Sequence, residues 1–473
     1  MRSPAKGALV DAALVAAARV AVSLACMASG FRAISDDDYA RVTIAARFAA
    51  QPSPDPSGTS WLPLPFWLYG VPMWLLGDSL TTARAVAVTL GAASAVAVWL
   101  SARWLGFAPR TALLGALGAT LLPYGAWLST ATVPEAPTAG LLVLGAVSLL
   151  RPEPRRRLIG GLALGAACFS RYEAWAPALV FALVTAADFR RERDRLRALA
   201  AVAALAPIAL WLLHGVFVHG DALFFVARVT QYRAALGGDA VSLGSALLAT
   251  PLALVRFEPE LLAVFAVALG LTLRRGESPF TGVAWRPVLL LASLVVFLIA
   301  ADVRGGAATH HPERSLLPVF WFLALITAGL VSNLAQSAER PWLLPALALP
   351  LALAGGLWLR PALLPTFAHR GEEEHVGRLL RRMGASQVAL DTDDYGYFAI
   401  QAALGHGASF PLRDHDPRRP ARPAPTGVAE LRAQLGPARW LVTTHQRAPL
   451  AQALGPVQVK TERFALISLE PPR

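Results

Sequence analysis

Three adjacent carboxylates, Asp36, Asp37 and Asp38, follow directly on the first apolar run of the chain and precede Tyr39 and Arg41. Side by side they repel one another, which can raise at least one pKa and suits a general base or a metal ligand. After Ser35, the same residues also favour a helix start. Glu135, within Thr132-Val133-Pro134-Glu135-Ala136-Pro137, opens another apolar run, and a carboxylate at a helix N-terminus is favourable in its own right. In Ser170-Arg171-Tyr172-Glu173-Ala174-Trp175, Arg171 can pair with Glu173 and Trp175 can anchor at a membrane interface. Arg171 is also a candidate for a ligand phosphate. Next comes His310-His311-Pro312-Glu313-Arg314, where two histidines beside an arginine can hold a phosphate oxyanion or, with Glu313, a metal. Adjacent histidines do not match helical metal-ligand spacing, so phosphate is the favoured ligand. Asp391-Thr392-Asp393-Asp394-Tyr395-Gly396-Tyr397 follows a strand pattern, where a ligand site and a helix N-cap explain the residues about equally well.

Elements able to carry these groups follow from composition. Of 473 residues, 55% are hydrophobic and only 16% charged, with a mean hydropathy of +0.49, so most of the chain faces lipid. The net charge of +12 is almost wholly arginine. Those arginines sit between apolar runs rather than on one stripe, which excludes nucleic acid as a partner. Cys26 and Cys168 lie inside apolar segments and supply neither a disulfide framework nor a zinc cluster. Apolar runs near 8–29, 80–100, 110–128, 135–150, 157–170, 174–188, 197–217, 251–273, 287–301, 315–333 and 341–359 predict about eleven spans. Only Asp11 and Arg19 stand out as charges within them.

Arginines at 103 and 110, 151–157, 190–197, 274–286 and 340 fall in alternate loops. This places the N-terminus in the cytoplasm and the C-terminal part outside a cytoplasmic membrane, on the face that also carries the acidic, histidine and aromatic loops. The first of these loops, residues 30–77, reads as an amphipathic interfacial helix from Asp38 to Ala50, a turn cluster, and a proline-broken apolar segment, Trp61 to Leu76. From about Thr366 the composition becomes that of a soluble domain. It has helix patterns at 372–383 and 395–404, strand patterns at 387–391, 440–444 and 464–469, and a loose stretch at 411–426. The expected architecture is an α-helical polytopic membrane domain, 1–365, with a small extracytoplasmic α/β domain, 366–473.

The order of these pieces resembles the GT-C superfamily of integral membrane glycosyltransferases, the class of the protein O-mannosyltransferases and lipid A aminoarabinose transferases. The resemblance runs over residues 8–360 and rests on Asp36-Asp37-Asp38-Tyr39, Pro63-Leu64-Pro65-Phe66-Trp67-Leu68, the Glu135 turn, Ser170-Arg171-Tyr172-Glu173-Ala174-Trp175 and Glu313-Arg314-Ser315-Leu316-Leu317-Pro318. It implies an inverting transferase that moves a sugar from a polyprenyl-phosphate carrier to an acceptor hydroxyl on a glycan, lipid or protein. Asp37, or its neighbours Asp36 and Asp38, would be the base, and Arg171, His310, His311 and Arg314 would neutralise the departing phosphate. Tyr39, Glu135, Tyr172, Glu173 and Glu313 would meet the acceptor or the sugar. No cofactor is implied with certainty, and a divalent metal is not indicated but stays open. Trp61 and Leu62 stand where the aminoarabinose type has a basic residue, and an Asp triplet replaces the commoner Asp-Glu pair. A transporter or flippase for a lipid-linked solute, and a polysaccharide polymerase or ligase, are the competing readings.

Overall fold

A computed structural model describes residues 4–150, 153–236, 242–276, 284–304, 311–336, 367–405, 407–413, 415–419 and 423–469. Sixteen helices come first: α1 (Pro4–Ala28), α2 (Asp36–Ala50), α3 (Leu64–Leu76), α4 (Leu80–Trp104), α5 (Pro109–Leu121), α6 (Pro123–Leu128), α7 (Glu135–Ser148), α8 (Pro154–Cys168), α9 (Trp175–Glu192), α10 (Arg195–His214), α11 (Phe224–Ala235), α12 (Leu243–Phe257), α13 (Pro259–Arg274), α14 (Trp285–Val303), α15 (Pro312–Ser315) and α16 (Leu317–Gln336). A mixed unit follows with α17 (Gly371–Arg382), β1 (Val388–Asp391), α18 (Tyr397–Leu404), β2 (Ser409–Pro411), α19 (Val428–Leu435), β3 (Trp440–Thr444), α20 (Ala448–Gln452), β4 (Val457–Lys460) and β5 (Phe464–Ser468). Among the described residues, α1, α4, α10 with the turn after it, α14 and α16 are long and apolar enough to cross a bilayer. The span expected at 341–359 lies outside the described residues.

Helix α7 is the buried centre of the bundle, with almost every residue from Glu135 to Ser148 enclosed. Close approach between helices is set by small residues. A Cβ on Gly161 would stand 2.3 Å from the Ala200 carbonyl oxygen and one on Gly165 2.3 Å from that of Ala203, so only glycine lets α8 lie against α10 at this distance. Large apolar side chains instead cover the outer faces, among them Leu14, Leu183, Leu199, Leu210 and Phe217, as expected for contact with acyl chains.

Two expected spans are broken. The run 110–128 divides at Leu122, because Pro123 has no N–H to continue the ladder. The orphaned carbonyl of Thr120 and that of Ala126 accept instead from the buried Arg19 guanidinium, both at 3.0 Å, and the Ser23 and Thr130 hydroxyls accept from it at 2.8 and 3.0 Å, while its Nε has no partner among the described residues. Arg19 is thus the polar patch of a helix break. Likewise 251–273 divides at Glu258, just before Pro259, and the Glu258 carboxylate accepts from the Tyr124 N–H at 3.1 Å. A buried carboxylate therefore ties the second break to the first.

Arginines from the alternate loops meet at one end of the bundle. Asp188, at the end of α9, accepts from Arg157 at 3.0 Å and from both terminal nitrogens of Arg286 at 2.8 and 3.0 Å. Arg197 approaches the same carboxylate at 3.9 Å.

The C-terminal sheet runs β2-β1-β3-β5-β4. β1 is parallel to β2 and β3, while β5 is antiparallel to β3 and β4. Its α18 packs Ala399, Ala402 and Ala403 against α2, where Tyr39, Val42 and Ala46 complete one apolar cluster with Tyr69 and Met73 of α3. An isolated bridge between Ala33 and Ala368 and a ring cluster of Phe31, Trp127 and Phe367 join the chain just before α17 to the segment before α2. So α2 is held between the bundle and the sheet unit.

Candidate active site

The N-terminus of α2 gives its three aspartates three different environments. Asp36 forms a bidentate pair with Arg370, Oδ1 to Nε and Oδ2 to an Nη both at 2.8 Å. Asp38, the third residue of the helix, is buried; it accepts from the Ser35 N–H at 3.2 Å, closing the helix start, and from the Thr132 N–H at 3.0 Å. Burial raises its pKa to about 6, and Arg314 and those two N–H groups limit the rise. Asp37 alone is exposed, and among the described residues its carboxylate has no hydrogen-bond or ion-pair partner. The guanidinium groups of Arg41 and Arg314 lie within its electrostatic reach.

Arg314 reaches this point from α15. Its Nη1 lies 3.4 Å from Ser35 Oγ, the residue that starts α2, while its buried Nε has no partner among the described residues. Arg41, one turn into α2, stacks over Trp61 at 4.3 Å and Phe66 at 5.9 Å, and its Nε is likewise buried without a partner. Glu135 at the start of α7 receives Arg171 at 2.7 Å through Oε1, and its Oε2 is enclosed with no hydrogen-bond partner among the described residues. Arg171 is fully engaged: it binds Glu135, Glu173 and, at 3.1 Å, Ser315 Oγ. Glu313 accepts from the Tyr124 hydroxyl at 3.4 Å and lies 3.0 Å from His311 Nδ1. Residues distant in sequence thus converge where α1–α2, α6–α7, α8–α9 and α14–α16 are joined. His310 lies outside the described residues.

Two of the aromatic candidates point elsewhere. The buried Tyr39 hydroxyl donates to Glu374 of α17 at 2.7 Å. Arg84 of α4 donates to the same carboxylate, at 3.2 Å to Oε2, and Arg378 at 3.0 Å. Burial works against the charge, but these bonds hold Glu374 below the usual glutamate range. Tyr172 donates to the Ser60 carbonyl at 2.8 Å, accepts from Trp211 Nε1 at 3.0 Å and stacks on Phe225. It fixes the loop before α3 to the turn before α9.

Arg41, Thr132, Tyr124, Glu258 and Arg370 escape sequence reasoning as parts of the site, and Ser35 is read there only as a helix start. For Arg41, its place one turn after the triplet is a signal that it shares a helix face with Asp37. Nothing local marks Arg370, which is 334 positions from Asp36.

The family model for dolichyl-phosphate-mannose-protein mannosyltransferase matches residues 55–214. No curated protein sequence is significantly similar to the chain. Among solved structures, ArnT from Cupriavidus metallidurans bound to undecaprenyl phosphate superposes with a TM-score of 0.59 at 14% identity, each chain covered in full. Its apo state gives 0.58 at 16%, again over both whole chains. The Archaeoglobus fulgidus oligosaccharyltransferase tethered to an acceptor peptide gives 0.50 at 13%, covering 93% of this chain and 69% of that one. The chain has the fold of these ArnT structures over its whole length.

Proposed function

We propose that this protein transfers a sugar from a polyprenyl-phosphate carrier to an acceptor hydroxyl, with inversion, at the end of the bundle where α2 begins. The observation that carries the reading is the sorting of the aspartate triplet. Asp36 is neutralised by Arg370 and Asp38 is enclosed, which leaves Asp37 as an open carboxylate facing two arginines that each retain an unpartnered nitrogen. A free base beside spare cationic donors is what a single displacement at an anomeric carbon requires. The acceptor proton passes to Asp37 as the acceptor oxygen bonds to the anomeric carbon. The bond from that carbon to the carrier phosphate breaks, and its electron pair leaves on the phosphate. Arg314, with Arg41, takes up the charge of the leaving phosphate, and His311 stands at the rim. Glu135 Oε2 is a waiting acceptor for a sugar hydroxyl, held in place by Arg171.

Support for a lipid-phosphate donor comes from the shared fold with a transferase crystallised with undecaprenyl phosphate. Support for a membrane-surface site comes from the flanking α2 and α3, whose exposed Trp74, Leu75 and Leu76 suit the interface. A cytoplasmic membrane with an extracytoplasmic sheet unit, 366–473, follows from the placement of the arginine loops. The test uses purified full-length protein and a panel of polyprenyl-phosphate monosaccharides with simple acceptors, and follows release of polyprenyl phosphate by mass spectrometry. Consumption of one donor, with the opposite anomeric configuration in the product by NMR, is the expected result. Retention of configuration, or the same turnover in Asp37→Asn, would remove the proposal.

A further inference from the structure

Helices α7 and α9 both start beside Glu135 and Arg171, and at their far ends the described side chains supply more cation than anion. Asp188, near the end of α9, accepts from Arg157 Nη1 at 3.0 Å and from Arg286 Nη1 and Nη2 at 2.8 and 3.0 Å. Arg157 comes from the first turn of α8 and Arg286 from the first turn of α14. Both also donate to the Leu149 carbonyl at the end of α7, at 3.2 and 3.5 Å, and Arg157 donates to Thr185 Oγ1 at 3.1 Å. Arg157 is only 2% exposed. Its Nε, like that of Arg286, is buried with no hydrogen-bond partner among the described residues. The carboxylates of the adjoining loops are committed elsewhere: Glu192 to Arg197, Glu153 to Arg156 and Asp194 to the Leu196 N–H, each at 2.8 Å. Among the described residues, two guanidinium groups therefore share one negative charge.

We propose that the phosphate of an anionic phospholipid meets this surplus, its headgroup binding Arg286 and Arg157 at the outer edge of the contact between α9 and α14. An uncompensated guanidinium inside a membrane protein is costly, and a phosphodiester supplies both the missing charge and acceptors for the spare N–H groups. The surroundings select a lipid over a soluble anion. The Arg286 side chain keeps 17% exposure while that of Arg157 keeps 2%, so a headgroup approaches from the α14 side. Trp285, the residue before Arg286, is exposed at the start of α14, where an interfacial anchor would stand. Leading away from the cluster, exposed apolar side chains line both helices, Leu183 and Leu179 on α9 and Leu289 and Val296 on α14. Those faces suit acyl chains, and basic pockets between transmembrane helices are where anionic headgroups bind. Exposed Arg190 and Arg191 add only a screened attraction. A headgroup held here ties α14 to α9 and, through Leu149, to the end of α7, remote from the aspartates.

The experiment delipidates full-length protein in detergent and adds phosphatidylglycerol, phosphatidylcholine or inorganic phosphate at equal concentration. Native mass spectrometry follows the bound molecules, and a thermal melt follows stability. Expected are a phosphatidylglycerol retained under activation that strips phosphatidylcholine, and a melting temperature raised by phosphatidylglycerol but not by the other two. Arg286→Gln should weaken retention of that lipid about tenfold or more, as for loss of a charged hydrogen-bonded contact. Arg190→Gln, at an exposed arginine of the same end, should change it less than about twofold. Equal retention of the two lipids by wild type would show no preference for net negative charge and would overturn the proposal, and this arm decides even where a variant fails to fold. Equal stabilisation by inorganic phosphate would assign the arginines to a soluble anion and overturn it too. Undiminished retention in folded Arg286→Gln protein would do the same.

Discussion

At the scale of single residues, the aspartate triplet separates into a free group, a paired group and an enclosed group, and each predicts a different mutant. Asp37→Asn should lower the rate of transfer about 100- to 10,000-fold, the range for loss of a general base, with donor binding by isothermal titration nearly unchanged. Asp38→Asn should instead change the response to pH. The folded pKa of Asp38, about 6, lies above its ordinary 3.8, so the folded chain binds the proton more tightly than the unfolded one. Its ionised form therefore costs stability above pH 6, and that cost disappears as pH falls from about 6 to about 4, a gain on the order of 2 kcal/mol. Wild type should melt at a higher temperature at pH 5 than at pH 7.5, and Asp38→Asn should lose most of that difference. Glu374 works with the opposite sign, because its lowered pKa gives stability that is lost only as pH drops below the glutamate range. The windows separate, and a melting curve against pH should show a maximum between them. Residue types alone marked Asp36–Asp38, Glu135, Arg171 and Arg314 as chemical. Their sorting was hidden, since the groups that pair or enclose them, Arg370 and Thr132, are supplied by remote segments.

Helices show where periodicity is informative and where it is not. Hydropathy locates α1, α4, α10, α14 and α16 because each is a single uninterrupted apolar run. It runs across the breaks at Leu122 and Glu258, since an average over a window does not register one missing N–H, although Pro123 and Pro259 stand at both places. Arg19 is conspicuous in the sequence, but its purpose becomes visible only beside the carbonyls it serves. Replacing it with leucine leaves both carbonyls to other partners, at about 1–3 kcal/mol for each that finds none. Arg19→Leu should therefore unfold at lower temperature in detergent, and Arg19→Lys should recover part of the loss. The α8–α10 contact gives a second test at this scale. Gly161→Leu must push the helices apart, because its side chain would begin 2.3 Å from the Ala200 oxygen. Gly118→Leu, where a Cβ meets nothing within 4 Å, is the matched control. Reduced yield of monodisperse protein for the first and not the second is the expected outcome on gel filtration.

For the molecule as a whole, the ends of the bundle differ in kind. One collects arginines on Asp188, and the other collects the carboxylates, Arg41, Arg171 and Arg314 under the sheet unit. Composition made the division of loops legible, and the strand and helix patterns after residue 366 made the sheet unit legible. How that unit docks was not, because Arg370–Asp36 and Tyr39–Glu374 are contacts between single side chains more than 300 positions apart. Arg370→Ala should loosen the N-terminus of α2, raising amide exchange at residues 36–40 and lowering turnover about tenfold or more. Donor binding by isothermal titration should change less. Unchanged exchange there would show that the aspartates keep their places without this clamp.

The docking of α2 also sets an order in time. A ribosome emits the helix bearing the aspartates early, and Arg370 and Glu374 only after the bundle's helices have been made. Every incomplete chain thus carries the proposed base on a helix that has not yet been clamped. A product cut short after Gln336 should enter the membrane and bind carrier lipid weakly, yet leave the sugar where it is, so that translation itself withholds the proposed reaction until Arg370 and Glu374 have been made.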